Sequence, residues 1–157
     1  MNLWRIAAET RAYKADDLGG MGAAKSPGRW NAANEPVVYC APTLAMAVLE
    51  TVAHVDGAGL PLDRFVVQVI VPDGLWARRE EALDTKKLPA AWAAIPAGRA
   101  SVDFGTQWLK SLRSPILLVP SAIVEEEAIA LVNPRHPDCR KVEARVVRRF
   151  EYNRVLR

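Results

Sequence analysis

The sequence predicts an α+β fold, with a single mixed or antiparallel β core and helices on its flanks. Short strand-like runs outnumber helical ones, and the two kinds follow one another in no regular order. Half of the 157 residues are apolar and a quarter are charged, which is the balance of an ordinary globular protein. No internal repeat or low-complexity segment divides the chain, and this length is enough to bury one core. We therefore predict a single domain over residues 1–157.

Strands are predicted where apolar residues alternate or cluster between turn residues. In the first of them, Leu3, Arg5 and Ala7 alternate with two larger apolar residues. The predicted strands cover residues 3–7, 37–41, 65–71, 116–119 and 128–132, and the tail from residue 142 alternates as one or two more. Pro72-Asp73-Gly74 is expected to stop the third strand as a turn.

Two helices are predicted, at residues 43–55 and 104–112. Thr43 is a plausible N-cap for the first, and Gly57-Ala58-Gly59 is expected to follow its end. Phe104, Trp108 and Leu112 form one stripe on the second. Residues 17–28 are glycine-rich and aperiodic, which indicates a long loop, and prolines interrupt residues 76–98, which we expect to be irregular with short helical pieces.

Glu50 is the most informative single residue, because it lies in an otherwise almost wholly apolar helical stretch. The apolar residues at positions 43–55 fall on both broad sides of a helical wheel, so both sides are expected to be buried. Removing a carboxylate from water costs several kcal/mol, roughly, unless a charge or hydrogen bonds compensate. The basic candidate lies upstream, at Arg29.

Arg29, Tyr39 and Glu50 belong to separate elements, and three more polar residues punctuate apolar runs: Arg5, Ser121 and Asn133. An arginine grips phosphate with a planar fork of donors, and a tyrosine offers a flat face to an aromatic ring. An inward carboxylate stabilises positive charge that develops at a sugar carbon. Together these residue types indicate a site for a phosphorylated ribose carrying an aromatic base.

The order of short motifs along the chain resembles the RES domain family, which supplies the toxins of bacterial Xre/RES toxin–antitoxin pairs. The motifs are Leu3-Trp4-Arg5-Ile6, Gly28-Arg29-Trp30-Asn31, Val38-Tyr39, Leu49-Glu50, Pro120-Ser121, and Asn133-Pro134 with His136-Pro137. They span nearly the whole chain, and only residues 76–99 carry none of them. The resemblance implies a fold similar to ADP-ribosyltransferases and an enzyme that uses NAD as its substrate, without a metal.

The resemblance also implies a role for each candidate residue. Arg29 would hold the pyrophosphate or ribose, with Arg5 assisting, and Tyr39 would stack on nicotinamide. Glu50 would bond a ribose hydroxyl and stabilise the oxocarbenium ion. Two further residues complete the expected NAD site: Ser121 beside the nicotinamide-ribose half, and Asn133 behind it. The first hypothesis is cleavage of NAD by water or phosphate, and the second is mono-ADP-ribosylation of a host protein.

The implied partners are NAD and an Xre-type antitoxin that covers the active site, with a toxin dimer bridged by antitoxins. Nucleic acid would be reached only through the antitoxin. With two cysteines and no long apolar segment near the N-terminus, we expect no disulfide framework, secretion signal or membrane span, and a cytoplasmic protein.

Each assignment has a purely structural alternative. Glu50 fits a buried ion pair, Tyr39 fits the core, and Ser121 and Asn133 fit turns beside prolines. His54, one helical turn after Glu50, is expected to be a hydrogen-bonded structural histidine. A metal site built from the two histidines and two cysteines fits no known ligand spacing.

The formal net charge of +3 leaves a nucleic-acid-binding module as an alternative of another class. The excess lies late, at Arg140, Lys141, Arg145, Arg148, Arg149, Arg154 and Arg157, and it is most simply a solvated strand face. A nucleic-acid binder would lose affinity steeply with salt.

Overall fold

A computed structural model describes residues 1–55 and 59–152 of the chain. The strands are β1 (Asn2–Ala8), β2 (Val38–Cys40), β3 (Arg64–Ile70), β4 (Glu80–Glu81), β5 (Ile116–Pro120), β6 (Ala128–Val132) and β7 (Glu143–Phe150). The α-helices are α1 (Met21–Lys25), α2 (Leu44–Val52), α3 (Asp73–Ala77) and α4 (Arg99–Ser111), and 3-10 turns cover Thr85–Lys87 and Pro137–Lys141. The predicted α+β class is confirmed.

The strands form two sheets, a three-stranded one in the order β1-β3-β7 and a four-stranded one in the order β2-β6-β5-β4. Among the strands of the described residues, only β4 and β5 pair in parallel. The sheets meet where Trp4 and Ala41 exchange two backbone hydrogen bonds of 2.8 Å. The predicted single β core is thus two sheets joined at one bridge.

Side chains alternate along β1, so its two faces contribute to different cores. Leu3 and Ala7 enter a first core with Val67, Val69 and Val132. Trp4 and Ile6 face the other way, toward α2 and a second core. The second core includes Trp30, Met46, Trp92, Trp108, Leu117, Val119, Ile129 and Leu131.

The helix that carries Glu50 is packed on both of its predicted faces, with one exposed strip between them. Met46 and Ala47 enter the second core, and Leu44, Val48, Val52 and Val55 pack against a third core of Val66, Phe150 and Tyr152. Leu49 is 36% exposed and Ala53 is exposed, so the prediction of burial was wrong for these two, because small and medium apolar side chains are common on protein surfaces. Part of the turn predicted at residues 57–59 lies outside the described residues.

Three boundaries differ from the predictions. The glycine-rich loop contains α1, and Pro72 caps the short helix α3 instead of starting an open turn. Helix α4 begins at Arg99, before the predicted start. Its buried stripe includes Ser101 and Gly105, which do not count as apolar residues in a sequence pattern, so the pattern indicated a shorter helix. Leu112 lies beyond the helix in a left-handed conformation and is 43% exposed.

The tail forms one strand, β7, with a bulge opposite Val66 and Val67. Its arginines are partly paired: Arg145 donates to Gln68 at 2.6 Å and Arg149 lies 3.1 Å from Asp63. Arg154 and Arg157 of the predicted basic tail lie outside the described residues.

Gly105 lets α4 approach the backbone of Trp30. A Cβ at position 105 would lie 1.9 Å from the Trp30 carbonyl oxygen, which is too close for any side chain. We predict that Gly105→Ala lowers the free energy of unfolding by about 2–3 kcal/mol, as overpacking does. Urea denaturation measures this. Gly74→Ala is the matched control, since a Cβ there meets nothing within 4 Å, and equal stability losses in both variants would contradict the prediction.

Candidate functional site

The side chain of Glu50 is held by the hydroxyl of Ser121. Ser121 Oγ donates to Glu50 Oε1 at 2.5 Å and accepts from the backbone amides of Ile123 and Val124 at 3.0 and 3.1 Å. Ser121 is 1% exposed. One donor and two acceptor sites are all that a hydroxyl offers, so its bonding capacity is filled by the protein. Ser121 therefore positions Glu50.

Glu50 has no arginine partner among residues 1–55 and 59–152. The expected ion pair with Arg29 is absent there, and a hydroxyl takes its place. The carboxylate is half-buried, so water still solvates part of it and a full counter-charge is not needed. The charge of Glu50 is thus available to a ligand.

Arg29 is fixed by main-chain oxygen atoms of the segment before α4. Its Nη1 donates to the carbonyls of Trp92 and Ala94 at 2.9 and 2.8 Å. Within the described part of the chain, Nε and Nη2 make no hydrogen bond, and the side chain is half-buried. One edge of the guanidinium is anchored, and the other keeps the donors that suit an anionic oxygen.

Tyr39 is held by its hydroxyl against the loop that carries Arg29. The hydroxyl accepts from the Trp30 amide at 3.0 Å and donates to Asn31 Oδ1 at 2.7 Å. Burial raises the pKa of Tyr39, and its hydrogen bond to Trp30 and the charge of Arg29 oppose this only in part. The ring is half-buried, so it offers a neutral aromatic surface.

Asn31, the last residue of the Gly28-Arg29-Trp30-Asn31 motif, organises the whole loop. Its Nδ2 donates to the carbonyls of Ala23, Ala32 and Glu35, and its Oδ1 accepts from Gly28 N and from Tyr39. The side chain is fully buried. A polar side chain at 0% exposure with this many hydrogen bonds has a structural role. In the sequence, only its position two residues after Arg29 pointed to it.

The loop also packs through Trp30, which is 2% exposed. Its ring stacks on Trp92 at 6.1 Å between centroids and meets Phe104 edge-on at 5.9 Å. Residues 76–98 contain short helical pieces, as predicted, and also the unpredicted strand β4. They supply Trp92 and the carbonyls that hold Arg29. The segment without family motifs is therefore a wall of the site.

Strand register places Tyr39 and Ser121 on one face of the four-stranded sheet. Tyr39 pairs with Leu131, and Leu131 pairs with Leu117. Because side chains alternate along a strand, Ser121 lies on the same face as Leu117, four residues further along. Arg29, Tyr39, Glu50 and Ser121 thus border the second core.

Arg5 and Asn133 lie apart from this group. Arg5 shares its strand face with Leu3 and Ala7 in the first core, and its Nη1 donates to the Asp17 carbonyl at 3.3 Å. Asn133 is fully buried at the opposite end of the β5–β6 hairpin from Ser121. Its Nδ2 donates to the Leu109 carbonyl at 2.9 Å and its Oδ1 accepts from Arg135 N at 3.1 Å, so it joins the end of α4 to the sheet.

His54 contacts the backbone of Glu50 and not its carboxylate, with 2.6 Å between Nδ1 and the Glu50 carbonyl oxygen. In the described ranges, His, Cys, Asp and Glu side chains form no group of three or more suited to a metal. Burial raises the pKa of the Cys40 thiol to about 12, and Arg5 lowers it only in part. Both cysteines are buried thiols.

The described helices include none that is long and apolar enough to cross a membrane. Two surface cavities lie away from Glu50 and Arg29. One, of about 380 Å³, lies between β4 and α4, and the other, of about 520 Å³, lies around Pro134 and His136.

The RES domain model matches residues 2–154. The chain belongs to the RES domain family.

Several curated relatives carry toxin names. The chain is 48% identical over 157 residues to the Prs ADP-ribosylating toxin of Sphingobium sp. (strain YBL2), covering 99% of this chain and 97% of that protein. It is 35% identical over 136 residues to Toxin Res of Yersinia enterocolitica, covering 87% and 86%. Toxin Res of Pseudomonas putida is 32% identical over 148 residues, covering 93% of each.

Among solved structures, the chain matches one in the crystal structure of the M. tuberculosis MbcT-MbcA toxin-antitoxin complex. The TM-score is 0.66 at 16% identity, with 94% of this chain and 84% of that chain covered. At this identity the match shows a shared fold.

The Asn31 network predicts a large loss from a minimal substitution. In Asn31→Asp, the donor that serves three carbonyls becomes a second acceptor, so the free energy of unfolding should fall by about 3 kcal/mol or more. Thermal and urea denaturation measure this. Asn2→Asp, at an exposed position, should change it by less than about 0.5 kcal/mol, and a similar effect of both would contradict the role of Asn31.

Proposed function

We propose that this RES domain, taken as one domain over residues 1–157, is the toxin of a toxin–antitoxin pair and breaks the nicotinamide–ribose bond of NAD. The observation that carries the proposal is Glu50, half-buried, without a basic partner in the described chain and held at 2.5 Å by Ser121. Membership of a family whose relatives are named as toxins supports the biological role.

The residues divide the reaction between them. The unbonded edge of Arg29 binds a phosphate or ribose oxygen, and the Tyr39 ring packs against nicotinamide. As the C–N bond breaks, its electron pair leaves with nicotinamide and positive charge develops on the ribose. The carboxylate of Glu50 stabilises that charge, and Ser121 keeps the carboxylate in place. The leaving group is already a pyridinium, so no strong acid is required.

Arg5 and Asn133 take different parts in this proposal from those implied by the resemblance. Arg5 supports the site from the opposite face of β1, through the Asp17 carbonyl near the start of the glycine-rich loop. Asn133 fixes α4, whose Gly105 receives the Trp30 backbone. Neither is required to touch NAD.

A protein is the acceptor that the comparisons favour. The relative that is 48% identical over 157 residues is named for ADP-ribosylating Prs. We propose that a protein nucleophile attacks the ribose carbon here as well, with water or phosphate as the alternative acceptor. Because NAD and such acceptors are cytoplasmic, we propose that the protein acts in the cytoplasm.

An antitoxin is the proposed protein partner, since the chain shares its fold with a toxin solved as a toxin-antitoxin complex. The antitoxin would cover the cleft between Arg29 and Glu50, bridge a dimer of toxins and provide any contact with nucleic acid. Direct binding of nucleic acid is less favoured, because Arg145 and Arg149 of β7 already have polar partners.

The charge of Glu50 is the first test. We expect Glu50→Gln to keep the Ser121 hydrogen bond and to reduce nicotinamide release from NAD by about 100-fold or more, since it removes the stabilising charge. Chromatography of the NAD products measures the rate. Glu126→Gln, at an exposed position, should leave the rate unchanged. Wild-type-like release by Glu50→Gln, or no release by the wild type with any acceptor, would refute the proposal.

Ser121 gives a test of positioning as distinct from binding. Its hydroxyl is filled by protein partners, so Ser121→Ala should lower kcat by about tenfold or more with little change in the KM for NAD. Ser121→Thr, which keeps the hydroxyl, should restore much of the rate. A rise in KM at constant kcat would show that Ser121 binds NAD directly.

The acceptor is tested with NAD labelled in its adenylate half. We expect label on a bacterial protein, with Prs as the first protein to assay, and loss of this label in Glu50→Gln. Rapid release of nicotinamide with ADP-ribose or its phosphate as the product, and no labelled protein, would establish water or phosphate as the acceptor instead.

A further inference from the structure

The motif Asn133-Pro134 with His136-Pro137 has no part in the proposed chemistry beyond Asn133, yet it borders a cavity of about 520 Å³. This cavity lies at the end of the β5–β6 hairpin opposite to Ser121. Its size falls within the range of small-molecule sites, roughly 300–1,000 Å³. The lining residues are Leu18, Gly19, Val132, Pro134, Arg135, His136, Pro137, Cys139, Arg140 and Val142.

His136 lines this cavity and has a ring nitrogen without a hydrogen-bond partner in the described chain. The residue is 9% exposed, and its Nδ1 accepts from the Asp138 amide at 3.2 Å. A neutral ring whose Nδ1 accepts must carry its proton on Nε2. Within residues 1–55 and 59–152, Nε2 has no hydrogen-bond partner. One nitrogen of this ring is therefore committed to the backbone, and Nε2 is left to bind a ligand.

The charge of the cavity wall is positive. Arg140 is exposed and makes no salt bridge or side-chain hydrogen bond within the described chain. None of the lining residues is acidic. Two carboxylates beside lining residues each have two cationic partners: Glu35 pairs with Arg135 and Lys110, and Asp138 pairs with Arg78 and Lys141. A third, Asp17, accepts from the amide of Gly19 at 2.7 Å.

The remaining wall is apolar. Leu18, Pro134, Pro137 and Val142 surround the donors, and Gly19 adds no side chain. Inorganic phosphate alone would leave this surface uncovered. A ligand that carries both an anionic head and a compact apolar body would cover it.

We propose that this cavity, defined by His136 Nε2, the Arg140 guanidinium and the apolar wall around Pro134, binds a small organic anion. The anionic head is a phosphate monoester or a carboxylate, which accepts from His136 and Arg140. This site is separate from the Glu50 cleft and does not depend on the proposed NAD chemistry.

The chain contains two histidines, His54 and His136, so ring resonances report on the two places separately. The experiment titrates the full-length protein with butyl phosphate, hexanoate and inorganic phosphate, at constant pH and ionic strength, and follows the histidine ring signals and the Gly19 amide by NMR. We expect saturable shifts at His136 and Gly19 and none at His54. Butyl phosphate or hexanoate should bind at least about tenfold more tightly than inorganic phosphate, as burial of two or more methylenes requires.

Two variants test the donors and one serves as the control. His136→Asn keeps a good capping residue for the Asp138 amide but removes Nε2, and Arg140→Gln removes an exposed charge. Each should weaken binding by about tenfold, which is the effect expected from losing one hydrogen bond to a charged group. The shift of the Gly19 amide measures this affinity. Arg99→Gln removes an exposed arginine elsewhere and should leave the affinity unchanged.

The outcomes separate this site from the NAD cleft. The same titration in the Glu50→Gln variant should give the same affinities, whether or not that variant retains NAD cleavage. Shifts that fail to saturate, that occur equally at His54, or that are the same in Arg140→Gln and Arg99→Gln would overturn the proposal. Tighter binding of butyl phosphate identifies a phosphate ester as the head group, and tighter binding of hexanoate identifies a carboxylate.

Discussion

The buried amide of Asn31 is the interaction on which the rest of the site depends. It is the centre of five hydrogen bonds that join the end of α1, the arginine loop and β2. Tyr39 reaches the same amide, and Gly28 is needed beside it because a Cβ there would lie 2.7 Å from the Tyr39 hydroxyl. The hydroxyl of Tyr39 and the backbone on both sides of Arg29 are therefore held by one shared network.

A second constraint sets the charge at the proposed site. Glu50 is held by a neutral hydroxyl instead of a cation, so its charge is not cancelled inside the protein. A buried salt bridge to Arg29 would have neutralised both groups. The protein keeps them apart, with Arg29 tied to carbonyls and Glu50 tied to Ser121, and each retains its electrostatic effect on a bound molecule.

The sequence predicted the strands well, because alternation and clustering of apolar residues report directly on sheet faces. It also singled out Glu50 and Ser121, although only the fold shows that they touch. It missed the start of α4 because the buried residue of its first turn is Ser101, which is polar and adds nothing to an apolar stripe. For Arg5 and Asn133 the structure shows hydrogen bonds to the Asp17 and Leu109 carbonyls. The sequence did not predict these contacts, because a linear motif carries no information about which face of a strand, or which end of a hairpin, a residue occupies.

The anchorage of Arg29 has a consequence for how this chain can vary. The main-chain carbonyls of Trp92 and Ala94 accept the hydrogen bonds of Arg29 Nη1, and any amino acid at these positions supplies a carbonyl. The identity of the residue at position 94 is therefore free to drift, while the path of the backbone is not. An insertion or deletion between residues 89 and 98 should harm the site more than many point substitutions there. Selection on that stretch would therefore act on the length and path of its backbone more than on its side chains.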